Sequence, residues 1–201
     1  MNGDLRYTMG LDLGQARNHT ALAVIERRWH AATAAEFIAS GTVGYTGEYR
    51  YVVVSVERVA LGTSYPEVVG WVKTIAQRFG DQLGEIVVDA TGVGSAVVDL
   101  LKRAGMGVRI MGIVITGGQA TGTSVGGRTA AGFGTVSRTE LLTALQVAIQ
   151  ARRISISLPL CGEWVALQRE LELLRLAGKR AGVQDDLAFA LALAVWWGVR
   201  L

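Results

Sequence analysis

Met9-Gly10-Leu11-Asp12-Leu13-Gly14 runs apolar into an aspartate and then into a glycine. The same ending recurs in Ile86-Val87-Val88-Asp89-Ala90-Thr91. A short apolar run closed by turn residues reads as a buried strand, so each stretch sets a carboxylate at a strand end. A third segment supplies two more carboxylates. Asp185-Asp186 precedes Leu187-Ala188-Phe189-Ala190-Leu191-Ala192-Leu193-Ala194, a helix apolar on every side and therefore buried. Carboxylates at the ends of neighbouring strands converge in space, and clustered negative charge is tolerable only where cations neutralise it. Ligands that are all oxygen suit the hard divalent cations Mg²⁺ or Mn²⁺.

Outward from these anchors, residues 7–13, 21–29 and 51–60 read as three sequential antiparallel strands. Pro66 stands at a first helical position, and Val68, Val72, Ile75 and Phe79 recur at helical spacing, which predicts a crossover helix before the strand to Asp89. Gly92-Val93-Gly94-Ser95 leads into a short helix over 96–104, and 108–115 is an apolar strand of the parallel type. Residues 116–134 are glycine-rich with few large apolar side chains, and are expected to form a mobile loop or hairpin. Ser137-Arg138-Thr139-Glu140 has capping-box spacing and opens a helix with Leu141, Leu145 and Ala148 on one face. A helix carrying Trp164, Leu167, Leu171 and Leu174 follows, then the aspartate-led one.

An antiparallel meander followed by two strand–helix units and then helices is the ribonuclease H-like succession. The expected fold is α/β, with a central mixed sheet of five or more strands flanked by helices. The first and fourth strands are neighbours in such a sheet, which sets Asp12 beside Asp89 with the last helix packed across them.

Composition is consistent with this reading. At 201 residues, 50% hydrophobic and 18% charged, the chain is expected to build one core, a single domain over 1–201. A formal charge of +3 allows a polyanionic partner. Cys161 is the sole cysteine, and His19 and His30 are the two histidines, so neither an internal disulfide nor a Cys/His zinc site is expected, and a reducing cytoplasm fits. The apolar stretch 187–199 is too short to span a bilayer, so no membrane partner is expected. No Walker-type Gly-Lys-Ser/Thr is present, which argues against a P-loop ATPase.

Each acidic position also has a plain structural reading. Asp185-Asp186 alone would be an N-cap, worth roughly 0.5–2 kcal/mol. Asp12 alone would be a turn residue, and Asp89 would make an Asx-turn with Thr91 and Gly92. Their joint appearance at matching strand ends favours a metal centre. Two ions roughly 4 Å apart, bridged by one carboxylate, can activate a water and stabilise the leaving oxygen of a phosphodiester. Asp12, on the central strand, is the bridging candidate, and the division of Asp185 and Asp186 between the ions is open. Arg128 in the glycine-rich segment and Arg138 at a helix start are candidates for phosphate contact, with solvated surface arginines as the alternative. Gly92 and Gly94 suit close approach to a phosphate backbone or plain tight packing. The five tryptophans are expected in the core or an interface.

These residues together resemble the nuclease domain of the large terminase subunit of tailed bacteriophages, over nearly the whole chain. Gly10-Leu11-Asp12-Leu13-Gly14-Gln15 with Thr20-Ala21-Leu22-Ala23-Val24 is similar to the family's first-strand motif. Leu61-Gly62-Thr63-Ser64-Tyr65-Pro66 is similar to the approach to its first helix, and Val88-Asp89-Ala90-Thr91-Gly92-Val93-Gly94 to its fourth-strand motif. Ile115-Thr116-Gly117-Gly118, Val136-Ser137-Arg138-Thr139-Glu140-Leu141 and Asp185-Asp186-Leu187 continue the pattern in order. The resemblance implies a metal-dependent endonuclease that cuts concatemeric double-stranded DNA during genome packaging. Two Mg²⁺ or Mn²⁺ ions would be held by Asp12, Asp89, Asp185 and Asp186. It further implies the small terminase subunit and the portal as partners, a location in the bacterial host cytoplasm, and a packaging ATPase domain that this chain lacks, as in an excised domain or a truncated prophage gene. Three departures stand out: Asn18-His19 where Asp-Pro is common, Gln184 where His often precedes the aspartate pair, and Arg138 for a frequent Lys.

Other readings compete. A junction resolvase or ribonuclease H would share the acidic centre and differ in substrate. An actin-like ATP-binding protein would use Asp12-Leu13-Gly14 and 89–94 as phosphate loops, although such proteins need two domains around a nucleotide cleft. A non-catalytic DNA-binding module would use the aspartates as caps only.

Overall fold

The structure is a computed structural model that describes residues 6–14, 18–42, 46–92, 94–117, 133–157, 162–177 and 184–201. In chain order the elements are β1 (Tyr7–Asp12), β2 (Ala21–Ala31), α1 (Ala34–Ser40), β3 (Gly47–Arg58), α2 (Tyr65–Phe79), β4 (Leu83–Asp89), α3 (Gly94–Arg103), β5 (Arg109–Thr116), β6 (Phe133–Ser137), α4 (Arg138–Gln150), β7 (Ile154–Ile156), α5 (Gly162–Ala177) and α6 (Asp186–Gly198). The strands form one sheet in the order β6-β5-β4-β1-β2-β3-β7. β1, β2 and β3 are the expected antiparallel meander, while β4 joins β1 in parallel, β5 joins β4 and β6 joins β5. The fold is the expected mixed sheet flanked by helices, of ribonuclease H-like arrangement, with seven strands.

Side-chain alternation divides the sheet into two buried faces. Leu22 and Val24 of β2 meet Val68, Val72 and Ile75 of α2 and Val97, Val98 and Leu101 of α3. Ala21, Ala23 and Ile25 face the other way, towards α4, α5 and α6. Ile75 and Leu101 are completely buried, and each such side chain contributes about 1.5–3 kcal/mol relative to exposure. α6 lies against β1 and β2 with α4 and α5 outside it, and every residue from Asp186 to Trp196 is buried. This is why the helix is apolar all round. Its close seat depends on Gly10, where a Cβ would stand 1.9 Å from the Ala190 carbonyl oxygen.

Several expectations change. Pro66 is the second residue of α2, and Glu67 closes the turn by accepting from the Ser64 amide at 2.9 Å and its hydroxyl at 2.6 Å. α1, β6 and β7 did not stand out in the sequence because they are short and α1 buries nothing. β3 begins at Gly47, ahead of the expected 51. β6 pairs with β5 in parallel and takes up Phe133 and Gly134 from the end of the segment expected as a loop or hairpin; the rest of that segment, 118–132 with Arg128, lies outside the described residues. Trp71, Trp164, Trp196 and Trp197 pack into or against the two cores as expected, but Trp29 is half exposed against Tyr49. Among the described residues no helix is long and apolar enough to cross a membrane.

Candidate acidic centre

Leu11 of β1 pairs with Val88 of β4, so the next residues, Asp12 and Asp89, end adjacent parallel strands at the same level. Neighbouring strands are about 4.8 Å apart. The turn after Asp12 is tight: the Gly14 amide donates to Thr20 Oγ1 at 3.1 Å, and a Cβ on Gly14 would stand 2.2 Å from the Asn18 carbonyl oxygen. After Asp89 the Asx-turn forms as the sequence allowed, with the Thr91 amide donating to Asp89 Oδ1 at 2.8 Å. Thr91 Oγ1 in turn accepts the Ile115 amide at 2.9 Å, which holds this turn to β5. Gly92 has φ +67° with open space where a Cβ would lie. The turn conformation itself requires glycine there.

Asp185 and Asp186 open α6 but do not cap it with their side chains. Asp185 occupies the N-cap position at φ −138°, ψ 17° with no side-chain hydrogen bond to the helix. Its Oδ2 instead accepts from the Arg138 guanidinium, which also lies 3.9 Å over the Phe189 ring. Arg138 is thus partly exposed and already paired with Asp185. Asp186 is buried and its Oδ2 accepts the His19 amide at 3.3 Å. The simple N-cap reading of the pair therefore fails. The helix is capped by Glu170 of α5, whose Oε2 accepts the Ala188 amide at 3.0 Å.

The charges of these groups act on one another. Burial holds the Asp12 carboxyl well above the usual carboxylate range, and the charges of Asp89, Asp186 and Asp185 push it further, against the opposing Arg138. Asp186 is raised as well, by burial first and then by Asp185, although the His19 amide opposes this. Glu170 is pushed up to about 7 by burial, despite the Ala188 amide and Arg58. An acidic group surrounded by other acids at a strand end is the donor set that hard divalent cations fit. As placed, no three His, Cys, Asp or Glu side chains among the described residues enclose a common ion position. Arg138 and the His19 amide hold the last two carboxylates.

Sequence reasoning missed His19, Arg58 and Glu170. His19 Nδ1 donates to the Val59 carbonyl at 2.9 Å. Arg58 NH2 reaches Glu170 at 3.2 Å and its Nε reaches Glu163 at 2.7 Å. A signal for Glu170 was present, since it falls three residues after Leu167 and one before Leu171, on the apolar face of α5. The capping box at 137–140 forms only in half. Ser137 Oγ accepts the Glu140 amide at 3.1 Å, but the Glu140 carboxylate turns to Trp196 Nε1 at 2.9 Å and Arg200 at 2.6 Å. A buried indole and a guanidinium claim that carboxylate.

No protein-family model matches the sequence, and no curated protein matches it. Solved structures do. The large terminase nuclease from thermophilic phage G20c, with bound zinc, is 18% identical at a TM-score of 0.55, covering 94% of this chain and 79% of that one. The nuclease domain of the large terminase subunit gp2 of bacterial virus Sf6, with manganese and beta-thujaplicinol, is 15% identical at 0.55, covering 96% and 88%. The RuvC structure of Thermus thermophilus is 14% identical at 0.40, covering 94% and 92%. This chain has the ribonuclease H-like fold seen in the nuclease domains of large terminase subunits.

Proposed function

We propose that the chain is a metal-dependent endonuclease of the large terminase type, which cuts double-stranded DNA during phage genome packaging. The observation that carries this reading is the placement of Asp12. Its carboxyl is buried at a strand end, and burial first, then the charges of Asp89, Asp186 and Asp185, raise it above the usual carboxylate range. A structural turn aspartate has no need of that company. Asp12, Asp89, Asp185 and Asp186 would hold two Mg²⁺ or Mn²⁺ ions, with Asp12 bridging. When bound, such ions lower the pKa of water and stabilise the charge that develops in phosphodiester hydrolysis.

The protein's own part is to hold the carboxylates in place. β1 and β4 fix Asp12 and Asp89 at one level, while α6 brings Asp185 and Asp186 across them. Arg138 supplies positive charge to Asp185 before any ion binds, and a DNA phosphate would compete for the same guanidinium. In this reading the single domain is the nuclease part of a packaging machine. The small terminase subunit and the portal are its partners in the phage-infected host cytoplasm.

The test is cleavage of supercoiled plasmid with Mn²⁺, Mg²⁺, Ca²⁺ or EDTA, with Asp89→Ala run alongside. Cutting with Mn²⁺ or Mg²⁺ that is lost in EDTA and in the variant supports the reading. Cutting that persists in EDTA, or undiminished in the variant, overturns it.

A further inference from the structure

The start of a helix leaves four backbone N–H groups without intrahelical partners, and an aspartate at the N-cap ordinarily takes one or two of them. α6 begins with two aspartates, yet Asp185 makes no side-chain cap hydrogen bond. The Ala188 amide is taken by Glu170, a carboxylate from a different helix that is almost completely buried. Glu170 Oε1 in turn accepts from Arg58 NH2 at 3.2 Å, and Arg58 Nε donates to Glu163 Oε2 at 2.7 Å. Glu163 and Glu170 are seven residues apart on α5, two helical turns along one face.

Arg58 belongs to a particular row of the sheet. Asp12 pairs with Ala21, and Ala21 pairs with Arg58. The same cross-strand row thus carries Asp12 at one position and, two strands over, the guanidinium that holds Glu170. Through Glu170 the first turn of α6 is tied back to the row on which Asp12 sits. If capping were the only need, a Ser or Asn at the N-cap would serve without a buried charge. A buried carboxylate close to Asp186 is unfavourable unless its partners repay it.

We infer that Glu170, braced by Arg58 and Glu163, is a positioning residue that caps α6 in place of Asp185 and Asp186, leaving both aspartates to the acidic centre at a fixed height relative to Asp12. This rests on the proposed divalent-cation site. It adds that the site's geometry is set by a group that touches neither ion nor DNA. Outer partners of this kind typically account for about 10–100-fold of metal affinity.

The experiment is a Mn²⁺ titration of the full chain by calorimetry, well below its melting temperature, for wild type, Asp12→Ala, Glu170→Ala and Glu170→Gln, with thermal melts in parallel. Glu170→Gln keeps one oxygen for the Ala188 amide but sets an NH₂ against Arg58, so its affinity is expected between that of wild type and that of Glu170→Ala, which is expected to bind about tenfold or more weakly while still folded. A Glu170→Ala protein that melts lower but binds Mn²⁺ as tightly as wild type overturns the positioning role and leaves the centre standing. Should Glu170→Ala fail to fold, Arg58→Gln decides: weaker Mn²⁺ binding supports the role and unchanged binding overturns it. Wild type that binds no Mn²⁺, or binds it no better than Asp12→Ala, overturns the centre and the role together.

Discussion

Asp186 Oδ2 accepts the backbone N–H of His19 at 3.3 Å, which ties the start of the last helix to the turn between the first two strands. The two residues are 167 positions apart in the chain. This bond orients one carboxylate of the pair, while the Arg138 guanidinium orients the other. Both aspartates are thereby engaged by groups outside α6.

Removing one carboxylate relieves repulsion, so the proposed centre trades stability for ion binding. Asp12→Asn is expected to raise the melting temperature of the metal-free protein by a few degrees, since about 1 kcal/mol corresponds to roughly 2–4 °C in a chain of this size. It is expected to remove metal-dependent cleavage. Calorimetric melting with and without Mn²⁺ checks both effects: the wild type gains stability from the ion and the variant does not.

The pH dependence has a defined sign. Glu170 is raised from 4.5 to about 7 in the folded protein, and Asp12 is raised well above 3.8. Between the unfolded and folded values the native state holds protons that the unfolded chain has released, so stability falls as pH rises. The metal-free protein is expected to lose on the order of 2–3 kcal/mol between about pH 4.5 and about pH 7 from Glu170 alone. Melts across that range check this, and a shallower profile with Glu170→Gln would assign that part of the slope.

Arg138 stands between Asp185 and the face of Phe189. Its side chain is partly exposed, so the ion pair itself contributes little to stability, about 0–1 kcal/mol. In the proposed reading its value lies in contact with phosphate. Arg138→Ala is expected to weaken DNA binding and to reduce the slope of log K against log salt by about 1, as measured by fluorescence anisotropy at several salt concentrations.

At Gly10, β1 and α6 lie too close to admit a Cβ. A methyl group there would meet the Ala190 carbonyl oxygen at 1.9 Å and the Ala194 amide nitrogen at 2.8 Å, and both are backbone atoms that cannot rotate away. Gly10→Ala is expected to cost about 1–3 kcal/mol or more, with a melting temperature lower by roughly 3–10 °C. The displaced α6 would carry Asp185 and Asp186 with it, so Mn²⁺ affinity should fall as well.

Much of this was legible in the sequence because periodicity and turn chemistry agree along most of the chain. The central strands are apolar on both faces, and the helices with Val68-Val72-Ile75 and Leu141-Leu145-Ala148 bury one regular face. α1 was not seen because it buries no residue, although Thr33 and Glu36 form a complete capping box. β7 pairs over three residues only, too few for alternation to show. The four aspartates stand out in the sequence as a candidate set because two of them close apolar strands and two open an apolar helix. Their actual partners do not, because Arg138, His19 and Glu170 reach them across the tertiary structure. Chain spacing said nothing of Asp185 pairing with a residue 47 positions earlier.

The central claim is that Asp12, Asp89, Asp185 and Asp186 form one cation site. Anomalous diffraction at the manganese edge, from crystals of the chain soaked in MnCl₂, tests it most directly. Two manganese peaks bounded by these four carboxylates are expected, with Asp12 touching both and Arg138 displaced from Asp185. Manganese bound elsewhere with the four aspartates left bare would contradict it.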